Sequence, residues 1–174
     1  YCISGGMSEI VDKTDTTEID WSEVTYKTTQ VFIPVFSKAK VVKVYDGDTI
    51  TVATPLQFDG SPVYRFSVRL RGIDCPEIRT KDSNEKLCGQ KAKKIMLDQV
   101  MNKMIDVSNI DYDKYGRILA DVSLDGVNVT EALIKQNLAV LYNGGKKNSP
   151  DDWLAFHNQV TSNENVAVPS SVDE

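Results

Sequence analysis

The sequence predicts one domain of the α+β class, mainly β, in which five short strands close into a Greek-key barrel accompanied by three helices. Three observations predict this fold. Three segments alternate apolar and polar residues between turn sequences, a helical period follows them, and two further β-branched segments precede two short amphipathic stretches. The length of 174 residues matches a single domain with room for polar ends.

The first three strands are predicted at residues 40–45, 49–53 and 63–70, where β-branched and apolar residues alternate with polar ones. Asp46-Gly47, a strong hairpin signal, separates the first two strands. A second turn precedes the third strand, so the three form an antiparallel meander. Residues 31–36 are apolar but interrupted by a proline, and we expect an edge strand or an entering strand there.

A helix is predicted from Gly89 to about residue 104, because apolar residues recur there at spacings of three and four. The apolar stripe includes Met96, Met101 and Met104, which we assign to the core. Residues 80–87, just before this helix, are polar, and we expect a loop there.

Two more strands are predicted at residues 105–110 and 118–124. A second helix begins at residues 128–131, where Asn is followed three positions later by Glu, and Asn137 is expected to take a left-handed conformation near its end. A third helix follows the acidic start at residues 150–152. Five strands with a helix after the third is the element count of a barrel of the oligonucleotide-binding (OB) type.

Charge is distributed unevenly along the chain, although the net charge is −5. Residues 1–30 carry a net −4, residues 31–149 carry +4 and residues 150–174 carry −5. We therefore divide the chain into an acidic N-terminal arm (1–30), a central domain (31–161) and an acidic C-terminal tail (162–174). A local basic face, rather than the overall charge, decides attraction to phosphates. The acidic ends either only keep the chain soluble or also weaken its non-specific binding to phosphates. The sequence leaves both explanations open.

The cysteines and the chain ends bear on location. No apolar run reaches the ~20 residues of a membrane-spanning helix, and no signal peptide is visible. The chain starts at Tyr1 rather than Met, so we expect that its native start is not represented, and the compartment stays open. Cys2, Cys75 and Cys88 form no C-x-x-C pair, which disfavours a disulfide framework or a zinc site and weakly favours an intracellular location. A Cys75–Cys88 disulfide remains an open alternative.

Charged residues concentrate at the ends of the predicted strands. Asp48 follows the first turn, and Arg69, Asp74 and Glu77 lie within nine positions of one another. Strand ends can meet in a closed barrel, and carboxylates with backbone oxygens suit Ca²⁺ or Mg²⁺ rather than zinc. Each residue also has a simpler explanation, because Asp is common in turns and arginines on exposed strand faces are usually only solvated.

Taken together, these motifs resemble the staphylococcal-type thermonuclease family, which comprises Ca²⁺-dependent nucleases on an OB barrel. The resemblance rests on D-G-D-T at 46–49, R-L-x-G-I-D-x-P-E at 69–77 and D-K-Y-G-R at 113–117, with support from N-V-T-E-A-L-I-K-Q-N-L-A at 128–139. It covers about residues 38–145. The order and spacing of the motifs make it specific, whereas any one motif alone would not.

The resemblance implies a role for each matched residue. Asp48, Asp74 and the backbone carbonyl of Cys75 are the implied Ca²⁺ ligands. The family often has Thr at the third of these positions, and a backbone ligand survives the change to Cys. Glu77 is implied to orient or deprotonate the attacking water. The other matched residues are implied to contact the substrate, Arg69 and Arg117 at the scissile phosphate and Lys114 and Tyr115 at the terminal phosphate and nucleotide.

We therefore predict a Ca²⁺-dependent endonuclease, expected to be monomeric, that hydrolyses DNA and RNA by metal-assisted attack of water. The resemblance further implies a preference for single strands and little sequence specificity. Phosphodiester hydrolysis requires charge neutralisation, an aligned phosphate and an activated water, which a divalent cation, arginines and Glu77 can supply. A catalytically silent nucleic-acid- or protein-binding module on the same barrel is the alternative. Arg71 matches no functional position, and strand alternation places it on the same face as Arg69.

Overall fold

A computed structural model describes residues 19–145 and 148–164, and it divides into two units, residues 1–32 and 33–174. In the first unit, the described residues contain one 3₁₀ turn, Trp21–Glu23. Asp20 begins this turn because its side chain accepts hydrogen bonds from the backbone N–H and the hydroxyl of Ser22. Cys2, most of the predicted N-terminal arm and most of the C-terminal tail lie outside the described residues.

Five strands form a closed barrel in the second unit. The predicted meander is β1 (Lys38–Val44), β2 (Thr49–Pro55) and β3 (Val63–Leu70), paired antiparallel in that order. After the two-residue strand β4 (Ile73–Asp74) come β5 (Met104–Tyr112) and β6 (Ile118–Leu124), which form a hairpin. β1 pairs antiparallel with β5 and β3 pairs parallel with β6, which closes the sheet. The predicted α+β fold with a five-stranded OB barrel is thereby confirmed.

Two further two-residue strands complete the sheet topology. β7 (Val127–Asn128) extends the edge of β6, and β8 (Val140–Leu141) pairs antiparallel with β4. β4 follows the end of β3 in sequence. Its pairing with β8 holds Asp74 in a fixed register opposite Val140. Sequence analysis missed these strands because two residues carry no detectable period.

Three helices accompany the barrel, as predicted: α1 (Ser83–Val100), α2 (Glu131–Lys135) and α3 (Trp153–Glu164). α1 starts six residues before the predicted Gly89, so the loop predicted at residues 80–87 is wrong over most of its length. Asp82 causes the earlier start, because its side chain accepts hydrogen bonds from the N–H groups of Asn84 and Glu85. None of the helices in the described parts of the chain is both long and apolar enough to cross a bilayer.

The core fills the barrel and the space beneath α1. Strand residues such as Val41, Ile50 and Val68 are fully buried, and so is the α1 face that carries Met96. The assignment of Met104 to the core was wrong, because α1 ends at Val100 and Met104 begins β5 with its side chain exposed.

Residues 31–36 form no strand, contrary to expectation, although Phe36 is buried and stacks on Phe66 with ring centroids 5.3 Å apart. Asn137 adopts the predicted left-handed conformation, with φ of 51°. The third helix begins as predicted, because Asp152 accepts hydrogen bonds from the N–H groups of Leu154 and Ala155.

Gly47 lies in the β1–β2 turn at a point of close approach. A Cβ on Gly47 would lie 2.8 Å from Cβ of Ala92 in α1 and 2.9 Å from Sγ of Cys75. Asp46-Gly47 predicted the hairpin turn, and φ of Gly47 is not in the left-handed range. The glycine is required here because the turn, α1 and the segment after β4 pack directly against one another.

We expect Gly47→Ala to destabilise the fold by about 1–3 kcal/mol, because the added methyl group overpacks a buried contact. Chemical denaturation of the two proteins measures this difference. Gly145→Ala is the matched control, since the nearest atom to its added Cβ is 4.0 Å away. An equal loss in both variants would contradict the close-approach explanation.

Candidate active site

A cavity of about 900 Å³ lies where β2 begins and β3 ends. Thr49 at the start of β2 pairs in register with Arg69 near the end of β3, which brings their neighbouring residues to one rim of the barrel. The cavity is lined by seven of the eight predicted site residues, namely Asp48, Arg69, Asp74, Glu77, Lys114, Tyr115 and Arg117. The structure therefore brings together three sequence segments that are far apart along the chain.

Arg69 joins the two predicted metal-binding carboxylates. Its Nη1 lies 2.8 Å from Oδ2 of Asp48, and its Nη2 lies 2.9 Å from Oδ1 of Asp74. Nη1 also donates to the carbonyl of Ile73 at 3.2 Å. The three side chains are nearly buried, with 10%, 11% and 4% of the Arg69, Asp48 and Asp74 side chains exposed. Charged hydrogen bonds in such surroundings are strong, because little water competes for the donors.

Asp48 also ties the strands together through other atoms. Its backbone carbonyl accepts a hydrogen bond from the N–H of Leu70 at 2.8 Å, and its Oδ1 accepts one from the Thr49 hydroxyl at 2.9 Å. Its Oδ2 accepts a further bond from the backbone N–H of Cys75 at 3.3 Å. The carboxylate is thus held by β2, β3 and the segment after β4 at the same time.

Asp46 lies beside this pair and was considered only as a turn residue in the sequence. It does serve the turn, because its Oδ1 accepts a hydrogen bond from the N–H of Asp48 at 3.2 Å. Burial and the negative charge of Asp48 raise the pKa of Asp46 to about 6. The rise reflects mainly the burial of Asp46, and the neighbouring charge of Asp48 adds to it.

Cys75 is buried and packs under the site rather than lining the cavity. Its thiol is free, as is that of Cys88, so the Cys75–Cys88 disulfide left open by the sequence is absent here. Burial raises the pKa of the Cys75 thiol well above its usual value, and the charges of Asp48, Asp46 and Asp74 raise it further. The side chain therefore remains a neutral thiol, and a metal-binding role at this position is restricted to its backbone carbonyl.

Glu77 is exposed at the mouth of the cavity, and α1 fixes the backbone around it. Oε1 of Glu85 accepts a hydrogen bond from the N–H of Glu77 at 3.2 Å. One helical turn later, a Cβ on Gly89 would lie 2.8 Å from the carbonyl of Pro76 and 3.2 Å from the carbonyl carbon of Glu77. Helix α1 can approach the loop this closely only because Gly89 has no side chain. Sequence patterns do not indicate these two positioning residues beyond their place in the helix.

The loop at residues 113–117 is held by Asp113. This carboxylate accepts a side-chain hydrogen bond from Nε of Arg117 at 2.7 Å and backbone hydrogen bonds from Tyr115 and Arg117. Burial acts to raise the pKa of Asp113, but these hydrogen bonds outweigh it and lower the pKa below its usual value. The Arg117 guanidinium and the Lys114 ammonium lie 5.6 and 5.1 Å from the centre of the Tyr115 ring.

Two residues at the cavity gained a role that the sequence did not assign. Tyr142 lines the cavity, and the Arg69 guanidinium lies 5.8 Å from its ring centre. Arg71 also lines the cavity, and its Nη2 donates to the carbonyls of Asn109 and Leu119 at 2.6 and 3.1 Å. Arg71 thus joins the β3–β4 turn to β5 and β6, and it lies just beyond β3, which ends at Leu70.

We expect Arg69→Met to destabilise the fold by about 3–5 kcal/mol, because it leaves two nearly buried carboxylates without their counter-charge. Arg117→Met, which removes a cation with 35% of its side chain exposed, should cost about 1 kcal/mol or less. Urea unfolding of both variants measures the contrast. Equal losses of unfolding free energy in the two variants would mean that the ion pairs of Arg69 stabilise the fold no more than the exposed pair of Arg117 does.

Comparison with known proteins identifies the family of this chain. A family model described as staphylococcal nuclease homologue matches residues 67–164. A rice (Oryza sativa subsp. japonica) protein named "Probable staphylococcal-like nuclease CAN1" is 37% identical over 78 residues, which is 45% of this chain and 22% of the rice protein.

Bacterial relatives are also similar. A Haemophilus influenzae protein named "Uncharacterized endonuclease" is 35% identical over 103 residues, 59% of this chain and 51% of that protein. An Escherichia coli protein of the same name is 35% identical over 104 residues, 59% of this chain and 60% of that protein. The chain thus spans between a fifth and three fifths of the length of these relatives. Because the family model covers more than half of the chain, and the barrel and motifs agree with it, this chain belongs to the staphylococcal nuclease homologue family.

Proposed function

We propose that this chain is a Ca²⁺-dependent endonuclease that hydrolyses phosphodiester bonds in DNA and RNA, with a preference for single strands and little sequence specificity. The observation that carries the proposal is the convergence of two aspartates, a glutamate and two arginines on one cavity. Membership of a nuclease family and the names of the relatives support it. Because these relatives are matched over only part of their length, the activity of the whole protein is part of the proposal.

The residues present suit a hard divalent cation. Asp48 and Asp74 offer carboxylate oxygens, and the carbonyl of Cys75 adds a backbone oxygen, which is the ligand type that Ca²⁺ prefers. Among the described residues no three His, Cys, Asp or Glu side chains are gathered as a ready-made cation site, so substrate oxygens and water would complete the coordination. With two carboxylates, affinity should be weak, about 10⁻⁴–10⁻³ M. When bound, the cation would supply Lewis-acid stabilisation of the negative charge that develops on the phosphate.

Arg69 and Arg117 would hold the scissile phosphate. Asp48, Ile73 and Asp74 accept hydrogen bonds from the two terminal nitrogens of Arg69, and a guanidinium has five N–H bonds, so donor capacity remains for phosphate oxygens. Arg117 is anchored through its Nε by Asp113, so its terminal nitrogens are the donors directed to substrate. Both guanidiniums are fixed before substrate binds, and preorganised donors of this kind each contribute about 10²–10³ in rate.

Glu77 would act on the attacking water. The water oxygen attacks phosphorus, one P–O ester bond breaks, a water proton moves towards the Glu77 carboxylate and the departing oxygen takes a proton from solvent. We assign Glu77 to orientation of the water with partial proton acceptance. The contacts of Glu85 and Gly89 with the backbone at Glu77 keep it at the cavity mouth.

A catalytically silent binding module remains the second candidate from the sequence. Such a module would use the Lys114, Tyr115 and Arg117 surface to bind nucleic acid and would have no use for buried carboxylates. Asp48 and Asp74 cost free energy when they are desolvated, and the chain retains both beside the cavity. We therefore favour the enzyme.

We expect single-stranded DNA to be digested in millimolar Ca²⁺ and to stay intact with a chelator. Ca²⁺ at 10 mM should also stabilise the fold by about 1.4–2.7 kcal/mol at the affinity given above, because it binds only the folded state. Asp48→Asn should abolish this stabilisation in thermal unfolding, whereas Asp125→Asn, in an exposed turn, should retain it. Purified chain that stays inactive in millimolar Ca²⁺ would refute the enzyme assignment.

We expect Glu77→Gln to lower kcat about 10²–10⁴-fold while KM changes little, because its carboxylate acts on the water and not on the substrate. Steady-state hydrolysis of a single-stranded oligonucleotide measures both constants. Glu131→Gln, an exposed change in α2, is the matched control. A rise in KM with kcat unchanged would assign Glu77 to substrate binding instead.

A further inference from the structure

A second, smaller cavity of about 240 Å³ adjoins the active-site cavity. The two cavities share three lining residues, Tyr45, Asp46 and Glu77. Beyond this shared wall, the smaller cavity is lined by three cationic residues that have no part in the site described above: Lys43, Arg79 and Lys93. We call this cavity the Lys43 pocket.

The three cations come from three different elements. Lys43 lies in β1 where a bulge shifts the pairing with β2, Arg79 lies two residues after Glu77, and Lys93 lies in the middle of α1. β1 carries Lys38, Lys40 and Lys43 and no acidic residue, and Lys38 is paired with Asp106 of β5. The guanidinium of Arg79 lies 5.5 Å from the centre of the Tyr45 ring, which forms a flat cation–aromatic surface at the boundary with the active site.

We infer that the Lys43 pocket binds a backbone phosphate of the substrate strand, on the side of the scissile bond opposite to Lys114 and Tyr115. The inference rests on the proposed function. Lys114 and Tyr115 line only the active-site cavity, Glu77 lies at the wall that both cavities share, and the three cations lie beyond it. A nucleic acid substrate whose scissile phosphate contacts Arg69 and Arg117 would therefore extend from the site in two directions, and cationic side chains lie in both directions.

The chemistry of the pocket favours a nucleic acid strand over other anions. Regularly spaced phosphates can contact cations on both sides of the reacting bond, and Tyr45 with Arg79 offers a flat surface on which a base can stack. Asp46 and Glu77 at the shared wall would repel an isolated small anion but leave the outer cations available to a tethered phosphate. Binding on both sides of the reacting phosphate also explains why a chain of this kind would cut within a strand rather than only at its end.

The test compares Lys43→Gln/Lys93→Gln with the charge-matched control Lys103→Gln/Lys135→Gln, whose residues line neither cavity. Steady-state kinetics would use a single-stranded oligonucleotide of about a dozen nucleotides and bis(p-nitrophenyl) phosphate, a minimal phosphodiester. We expect the KM for the oligonucleotide to rise about tenfold or more in the pocket variant, since two cations that bind phosphate are removed. The KM for the small diester should change by less than about twofold, and the control variant should resemble the unaltered protein with both substrates.

A second readout separates this inference from the proposed function. The affinity of labelled oligonucleotide in chelator, measured by fluorescence anisotropy, needs no turnover. The slope of log affinity against log salt should fall by about 0.7 for each phosphate that the variant no longer neutralises. An unchanged slope, or an equal loss of affinity in the control variant, would overturn the pocket as a phosphate site. Failure of the unaltered protein to hydrolyse either substrate would instead refute the nuclease, while the binding data would still decide the pocket. Thermal unfolding of both variants confirms that they remain folded.

Discussion

The ion pairs between Arg69 and the two aspartates are the interaction on which the rest of the site depends. Asp48 directly precedes β2, Arg69 lies near the end of β3 and Asp74 ends β4, so one guanidinium links the chain segments at the ends of three strands. Buried charges are unfavourable unless they are paired, and each of these three is held by at least one other. The barrel therefore closes in the one register that satisfies them, and the same register places the reactive groups around one cavity.

Much of this arrangement could be predicted from the sequence. The three-stranded meander and the three helices followed from alternation, turn residues and helical spacing, and the seven predicted site residues that line one cavity followed from the family resemblance. Local signals of this kind are reliable because they act over a few positions. The start of α1 was missed because Asp82 caps a helix that begins at Ser83, six residues before the predicted start at Gly89. Met104 was misassigned because its helical spacing continued past the true end at Val100.

Other features could not be predicted because they depend on tertiary contacts between distant segments. Nothing in the sequence indicates that Arg69 binds Asp48 and Asp74 while retaining donors for a phosphate. Arg71 matched no motif, and only the closed barrel reveals that it bonds to carbonyls of β5 and β6. Gly47 and Gly89 resemble ordinary turn and helix residues, but both mark points where α1 lies directly against the site loops. Where two backbone segments approach closely, the sequence shows no periodic pattern that would indicate the contact.

The position of Arg69 has a consequence for where such a protein can be made. In many metalloproteins the folded state depends on the metal, because the ligands repel one another without it. Here an internal guanidinium already pairs with both buried carboxylates and offsets one of their two negative charges, so the barrel has part of its counter-charge before any ion arrives. Maturation and activation are thereby separated: the chain can reach its final shape where free Ca²⁺ is scarce, and the proposed activity would begin only where Ca²⁺ is plentiful. A host would gain a period in which a finished nuclease is harmless to its own nucleic acids.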